Sequence, residues 1–284
     1  MADLPLHLAY RREIENQQSA LPQLPPPLSQ KRDFTLHDLI NITGYRMGVS
    51  SILPEYLFKS HQIPESHDRV IILVTPMNYQ AMNTAPSLDS ATEILRSYKN
   101  AGEAVIDITK IIRSNGYDAM PHHPMGNANE YHHLLLPPHA VKAGLGERGR
   151  TGLFIDYEYG PTVRLAAVTT DAPLTVTESR TRGITEFCHR CKYCVEYCPP
   201  RALPDGTYLE QVQSGQIMDF KINAHRCFQY FKEHRGCGRC ISNCILAEND
   251  RDKIQQRISR IEKWYQKWVV SGKIDEMYQS SGLG

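Results

Sequence analysis

Cys188-His189-Arg190-Cys191-Lys192-Tyr193-Cys194-Val195-Glu196-Tyr197-Cys198-Pro199 is the stretch on which the reading of this chain turns. Eight cysteines occur among 284 residues, and all of them lie between 188 and 244. An even count permits disulfides, but disulfide-stapled secreted proteins spread their bridges through much smaller chains. Thiols gathered into one segment of an otherwise cysteine-free chain point to metal. Zinc on paired Cys-x2-Cys sites would need neither a third Cys-x2-Cys step nor a Cys-Pro.

The spacing Cys188-x2-Cys191-x2-Cys194-x3-Cys198-Pro199 matches the bacterial ferredoxin pattern for a [4Fe–4S] cluster. Three closely spaced thiolates on a tight loop can serve three irons of one cube. The fourth cysteine is turned away and, in two-cluster ferredoxins, serves the other cube. Cys227, Cys237, Cys240 and Cys244 remain, and Cys237-x2-Cys240-x3-Cys244 repeats the second half of the motif, with Ile245 where a proline would stand. Two [4Fe–4S] clusters are expected. The crossed pattern gives the first Cys188, Cys191, Cys194 and Cys244, and the second Cys198, Cys227, Cys237 and Cys240.

Outside this segment the composition is that of a folding chain, with 41% hydrophobic and 22% charged residues. The formal net charge of +1 disfavours a nucleic-acid reader driven by phosphate attraction. No apolar run approaches the roughly 20 residues that cross a bilayer. Arg11–Arg12 has the pair that opens a twin-arginine export signal, but Glu13-Ile14-Glu15-Asn16-Gln17-Gln18 follows where an apolar stretch should be. The chain is therefore read as cytoplasmic.

Four parts are expected. Residues 1–33 form a peripheral extension with the Pro-rich linker Leu21-Pro22-Gln23-Leu24-Pro25-Pro26-Pro27. Residues 34–180 form an α/β core, 181–248 the cysteine module, and 249–284 a closing helix with the stripe Ile254, Ile258, Ile261, Trp264 and Trp268. Within the core, Thr35 with Asp38 signals a helix start. Arg69–Thr75 reads as a buried strand, and Ser87 caps a long helix ending near Gly116. Its apolar stripe runs Ile94, Leu95, Tyr98, Ala101, Val105, Ile108, Ile111, Ile112. Tyr117–Met120 suggests a short strand, Ala140–Leu145 a short helix, and Gly152–Tyr157 and Val163–Thr170 two more strands.

The residues before the cysteines say more. Ala143-Gly144-Leu145-Gly146-Glu147-Arg148-Gly149-Arg150-Thr151-Gly152-Leu153, then Tyr159-Gly160-Pro161-Thr162-Val163-Arg164-Leu165, then Thr170-Asp171-Ala172-Pro173-Leu174, followed by the ferredoxin motif, resemble the corrinoid-dependent reductive dehalogenases. Thr84-Ala85-Pro86-Ser87-Leu88 and the Tyr98 helix resemble the same family, so the resemblance covers roughly residues 69–246. It implies an α/β (α+β) fold, a nitroreductase-like cobalamin-binding core joined to a two-cluster ferredoxin-like module. It also implies cobalamin as cofactor, although no Asp-x-His-x-x-Gly corrinoid motif is present. Epoxyqueuosine reductases are relatives with the same cofactors. An export signal, a fused flavin reductase part and a C-terminal helical-repeat extension, each found in some members, are not seen. The expectation is a minimal core acting on a small-molecule substrate and fed by an external low-potential donor such as ferredoxin or flavodoxin. The oligomeric state is left open.

By the same resemblance Tyr98 matches the catalytic tyrosine, a proton donor, and Arg150 matches its basic partner. Read from the residues alone, Tyr98 is a core side chain of its stripe and Arg150 a surface arginine. His122, His123, His132, His133 and His139 crowd one loop, where the family carries an asparagine or similar polar group. His122 is the candidate for a second proton donor or polar wall; an axial cobalt ligand and a solvated loop are the alternatives. Gly144, Leu145 and Gly146 are the candidate corrin-binding stretch, glycine allowing close backbone approach, with a helix C-cap at Gly144 as the other use. The function expected is a reductase cleaving a carbon–heteroatom bond, foremost carbon–halogen. An epoxyqueuosine-reductase-like deoxygenase and a non-catalytic iron–sulfur electron carrier are the competitors.

Overall fold

Val163–Thr170 is apolar on both faces up to Val168 except at Arg164, and ends in Thr169 and Thr170, as suits a strand covered on both sides. In the computed structural model it is the axis of the molecule. Residues 4–58, 63–126, 133–179, 181–205, 210–211, 218–219, 222–247, 256, 258–261 and 263 are described. The chain runs α1 (Leu4–Ala20), α2 (Leu36–Thr43), β1 (Arg46–Ser51), β2 (Arg69–Pro76), α3 (Tyr79–Met82), α4 (Leu88–Ser114), β3 (Ala119–His122) and α5 (Leu136–Lys142). Then follow β4 (Gly146–Arg148), β5 (Phe154–Asp156), β6 (Val163–Thr170), α6 (Ile184–Cys191), α7 (Tyr193–Glu196), β7 (Glu210–Gln211), β8 (Met218–Asp219), α8 (Ala224–Glu233) and α9 (Arg239–Ser242).

The main sheet has the order β1-β2-β6-β3 and is antiparallel throughout, with Leu73 opposite Ala166 and His122 opposite Ala167. Alternation along β2 and β6 sorts their side chains between two cores. Ile71, Leu73, Ala166 and Val168 meet Ala101, Ala104, Val105, Ile108 and Ile112 of α4 on one face. Val70, Ile72, Val74, Val163 and Ala167 meet Ala140, Ala143 and Leu145 on the other. Small residues on β6 let α4 and α5 approach the sheet closely.

The two helix starts read from sequence are present as reciprocal caps, Thr35 with Asp38 and Ser87 with Ser90. The short strand after α4 begins at Ala119 rather than Tyr117, and the short helix spans 136–142, four residues earlier than expected. The closing helix expected over Ile254–Trp268 falls largely outside the described residues.

The stretch expected as a peripheral extension instead begins with a 17-residue helix, α1, laid against α4 with Ile14 buried. Its key is Gln17. Gln17 Nε2 donates to the Lys99 carbonyl (3.0 Å), and Gln17 Oε1 accepts from His123 Nε2 (3.2 Å). The Met125 N–H donates to His123 Nδ1 (3.1 Å), which fixes the ring proton on Nε2. All three elements meet at Gly102 of α4, where an added Cβ would collide with both Gln17 Oε1 and His123 Nε2. Gly102→Ala is therefore expected to destabilise the fold by about 1–3 kcal/mol despite alanine's better helix propensity. Urea unfolding checks this; a stabilised Gly102→Ala variant would show that α1 does not lock onto α4.

Candidate active site

The cysteines sit on four short helices and their flanking turns: Cys188 and Cys191 on α6, Cys194 on α7, Cys227 on α8, Cys240 on α9. All eight are free thiols. Cys194 lies in the field of Cys188 and Cys191, and Cys244 in the field of all three. Cys240 lies in the field of Cys237, Cys227 and Cys198, and Cys227 in that of Cys198 and Cys237. Cys194 also feels Cys240, so the two groups adjoin.

Burial, reinforced by neighbouring thiols, pushes Cys188 up to about 11 and Cys194 and Cys240 up to about 12. Cys244 is also raised, first by burial and then by Cys188. Crowded buried thiols stay protonated until a cation supplies the charge that thiolates need, which is what iron does. Among the described residues no three His, Cys, Asp or Glu side chains converge as a site for a single ion. A cube takes its thiolates at separate corners, so the eight thiols fit two cubes in number and grouping. The backbone is strained in the same place. Lys192 (φ 51°), Arg201 (φ 48°), Arg235 (φ 50°) and Cys237 (φ 41°) are the positive-φ non-glycine residues among those described, and all lie in the cysteine segment.

One stretch clamps α6 at both ends. Glu147 of β4 is buried and accepts from the N–H of Arg182 (2.6 Å) and Thr185 (3.1 Å) and from the Tyr157 hydroxyl (3.0 Å). It thereby satisfies orphan donors at the start of α6. Burial alone would raise the Glu147 carboxyl, but these donors outweigh it and hold it below 4.5. The same contact and burial drive Tyr157 up to about 12. Three residues on, Arg150 is 1% exposed and donates to the carbonyls of Cys188 (2.9 Å), His189 (2.9 Å) and Pro204 (2.8 Å).

Because the folded-state pKa of Glu147 is depressed, its stabilisation is fully present above the unfolded value near 4.5 and is lost as pH falls through the folded value. Glu147→Gln is expected to cost about 1–3 kcal/mol at pH 7, and the gap to wild type should close in acid. Urea titrations at pH 7 and pH 4 read this out; a pH-independent gap would remove the carboxylate from the clamp.

Tyr98 lines a cavity of about 230 Å³ whose other walls include Phe58, Leu134, Leu153, Phe154 and Arg164. The cation at its ring is Arg164, 5.0 Å from the centroid. Arg150, expected there, is instead committed to the α6 carbonyls, and the sequence reasoning missed Arg164. The available signal was a lone charge inside an otherwise apolar strand. Arg164 Nε is buried without an acceptor among the described residues. Pro161 is shared between this cavity and the space enclosed by Cys188, Cys191, Cys194, Cys240 and Cys244, and Ile241 carries the cavity wall up to Cys240.

The stretch expected to meet a corrin is occupied by protein. Gly144 (φ 69°) ends α5, with its N–H donating to the Val141 carbonyl (3.0 Å) and the Leu145 N–H to Ala140 (3.2 Å), a Schellman cap. Leu145 is core, and the Ile155 carbonyl presses on Gly146. The described histidines of the loop are buried rather than solvated. His122 Nε2 shares the Thr169 hydroxyl (2.9 Å) with His67 Nδ1 (3.0 Å), His67 Nε2 meets Asp118 (3.2 Å), and the His133 ring packs edge-on to His122. His122 is thus off the Tyr98 cavity wall. His139 receives the Leu53 N–H and donates to the Leu135 carbonyl, and burial lowers its pKa.

Comparison with known proteins places this arrangement. The tetrachloroethene reductive dehalogenase of Dehalobacter restrictus is 34% identical over 184 residues, 62% of this chain and 32% of that protein. The chain is a homologue of the reductive dehalogenases. It spans about a third of the length of the curated homologue just described. An epoxyqueuosine reductase of Lactococcus garvieae is more distant, 29% identical over 116 residues, 41% of this chain and 26% of that one. A reductive dehalogenase solved in connection with B12-dependent dehalogenation superposes with a TM-score of 0.77 at 21% identity, over 96% of this chain and 42% of the other. The mixed α/β fold is therefore that of these homologues. No family model matches the chain. Among the described residues no helix is long and apolar enough to cross a membrane.

Proposed function

We propose that the protein is a cobalamin- and iron–sulfur-dependent reductase that cleaves the carbon–halogen bond of a small organohalide. The observation that carries this is the wall shared at Pro161: an apolar cavity holding Tyr98 and Arg164 abuts the space lined by Cys188, Cys191, Cys194, Cys240 and Cys244. Electrons stored on a cluster there would reach a bound group without crossing solvent. Homology to the reductive dehalogenases supports the halogen reading.

The lining suits the apolar face of a corrinoid in chemistry, while the space of about 230 Å³ is smaller than that whole group. Leu134, Leu135, Leu153 and Phe154 offer an apolar bed, and the unsatisfied Arg164 Nε offers a donor to an acceptor arriving with the ligand. Cobalamin, when bound, supplies the strongly reducing metal centre that the chemistry needs. The chain does the rest. Leu134, Phe154 and Val163, all buried, form the dry wall. Tyr98 presents its hydroxyl to the reacting carbon and gives up the proton that replaces the halide. Arg164 lies over the ring, where its charge opposes the negative charge left behind. Cys188, Cys191, Cys194 and Cys244 would hold the inner cluster, and Cys198, Cys227, Cys237 and Cys240 the outer one. Arg150 and Glu147 are positioning residues, keeping α6 in the conformation that presents Cys188 and Cys191.

Anaerobic reconstitution with iron, sulfide and cobalamin tests the cofactor set. About eight irons per chain are expected, with corrin bands that change on reduction. Stoichiometric zinc, or iron–sulfur absorption that excess cobalamin never alters, would leave an electron carrier and overturn the reading.

A further inference from the structure

We propose that the α8 face around Cys227 is the docking surface for a small acidic one-electron carrier protein, which delivers electrons to the outer cysteine group. This rests on the iron–sulfur reading above. The two groups differ in access. The inner one is closed over by Arg150, Ile155, Phe187 and Leu246. The outer one includes Cys227 on α8, a helix with no buried residue.

That helix is not an ordinary solvated one. Phe228 and Phe231 are 59% and 45% exposed, and their rings stack with centroids 6.4 Å apart. Lys232 Nζ stands 5.1 Å from the Phe228 centroid. A second aromatic pair, Tyr193 and Tyr197, lies exposed with its centroids 5.3 Å apart in the turns leading to Cys198. Exposed aromatics grouped beside two prospective cluster ligands mark a surface that meets something.

Charge selects the occupant. Arg226, Lys232 and Arg235 are exposed in residues 224–239 against the single acid Glu233, in a chain whose net charge is only +1. A basic rim around an aromatic centre fits an acidic partner and steers its approach. A second copy of this chain would bring the same basic face to a two-fold contact and be repelled. The patch is small, as suits a transient electron-transfer encounter. In the step itself the carrier is oxidised by one electron and the outer cluster reduced by one, with no bond made or broken. Two such encounters, with one proton, balance the conversion of R–X to R–H and halide.

The test uses the reconstituted holoprotein and a photochemically pre-reduced acidic bacterial ferredoxin, following cluster bleaching by stopped flow. The comparison is wild type against the Arg226→Glu/Lys232→Glu double variant, with Ti(III) citrate as a small reductant that needs no docking. The ferredoxin rate should fall at least about 10-fold in the variant and fall with salt in wild type, while the Ti(III) rate stays equal. Ferredoxin rates that match between the two proteins, or a salt-independent wild-type rate, would overturn the proposal. So would a concentration-dependent dimer of wild type that the variant loses, which would make the face a self-interface. Failure of Ti(III) to bleach wild type would strike the iron–sulfur reading itself, and is told apart in that way. If the variant fails to fold, the wild-type salt dependence still decides.

Discussion

Tyr98→Phe is expected to lower turnover by about 10²–10⁴-fold while iron content and corrin binding persist. Tyr98 lies half-buried on α4, with its ring against Arg164 and along the cavity wall. Phenylalanine fills the same space and keeps the cation–π contact, worth roughly 0.5–2 kcal/mol. Only the hydroxyl is lost, so a large effect would isolate proton donation. A fully active Tyr98→Phe protein with intact cofactors would return Tyr98 to the core. Arg164→Met should be the milder lesion at pH 7, and should weaken binding of the group that engages its Nε.

Arg150→Met is expected to abolish the inner cluster, leaving about four irons per chain instead of about eight. Three carbonyls of the cysteine loops lose their donor at once, and hydrogen bonds to a charged group contribute about 1.5–3 kcal/mol each. Burial lowers the Arg150 pKa, with Cys194, Cys188, Asp205 and Cys191 acting in the opposite sense. Such a cation beside three prospective thiolates and a carboxylate is both scaffold and counter-charge. Arg150→Lys keeps the charge but lacks the planar fork that reaches three carbonyls, so it should rescue loading only in part. Iron analysis and electron paramagnetic resonance of the reduced protein decide. Full loading of Arg150→Met would confine Arg150 to ordinary packing.

The sequence was most legible where chemistry is local. Cysteine spacing, the two reciprocal helix caps, and the apolar runs that became β2 and β6 depend on a few adjacent residues and read directly. What escaped depends on tertiary partners. Helix α1 shows no apolar stripe of usual width, because it docks through Ile14 and the Gln17 side chain rather than a broad hydrophobic face. Strand β1, Arg46–Ser51, is rich in Gly and Ser and is held as a strand by pairing with β2. Arg150 and Arg164 are both arginines near the right elements. Which one meets Tyr98 depends on β6 lying beside α4 while β4 feeds the cysteine loops, and spacing along the chain does not carry that information. Gly144 was readable as a cap, as a cofactor contact or as both, and the hydrogen bonds at Val141 and Ala140 establish the cap.

The proposed reaction is carbon–halogen cleavage with electrons passed through iron–sulfur clusters to a corrinoid. Halide release measures it most directly: reconstituted protein, Ti(III) citrate, and a panel of brominated and chlorinated phenols and alkenes, anaerobically, with and without cobalamin. The account predicts halide and hydrogen-substituted product in equal amounts, dependent on cobalamin and nearly lost in Tyr98→Phe. No halide from protein shown to carry both clusters and cobalamin, alongside turnover of an epoxide in the same assay, would contradict it.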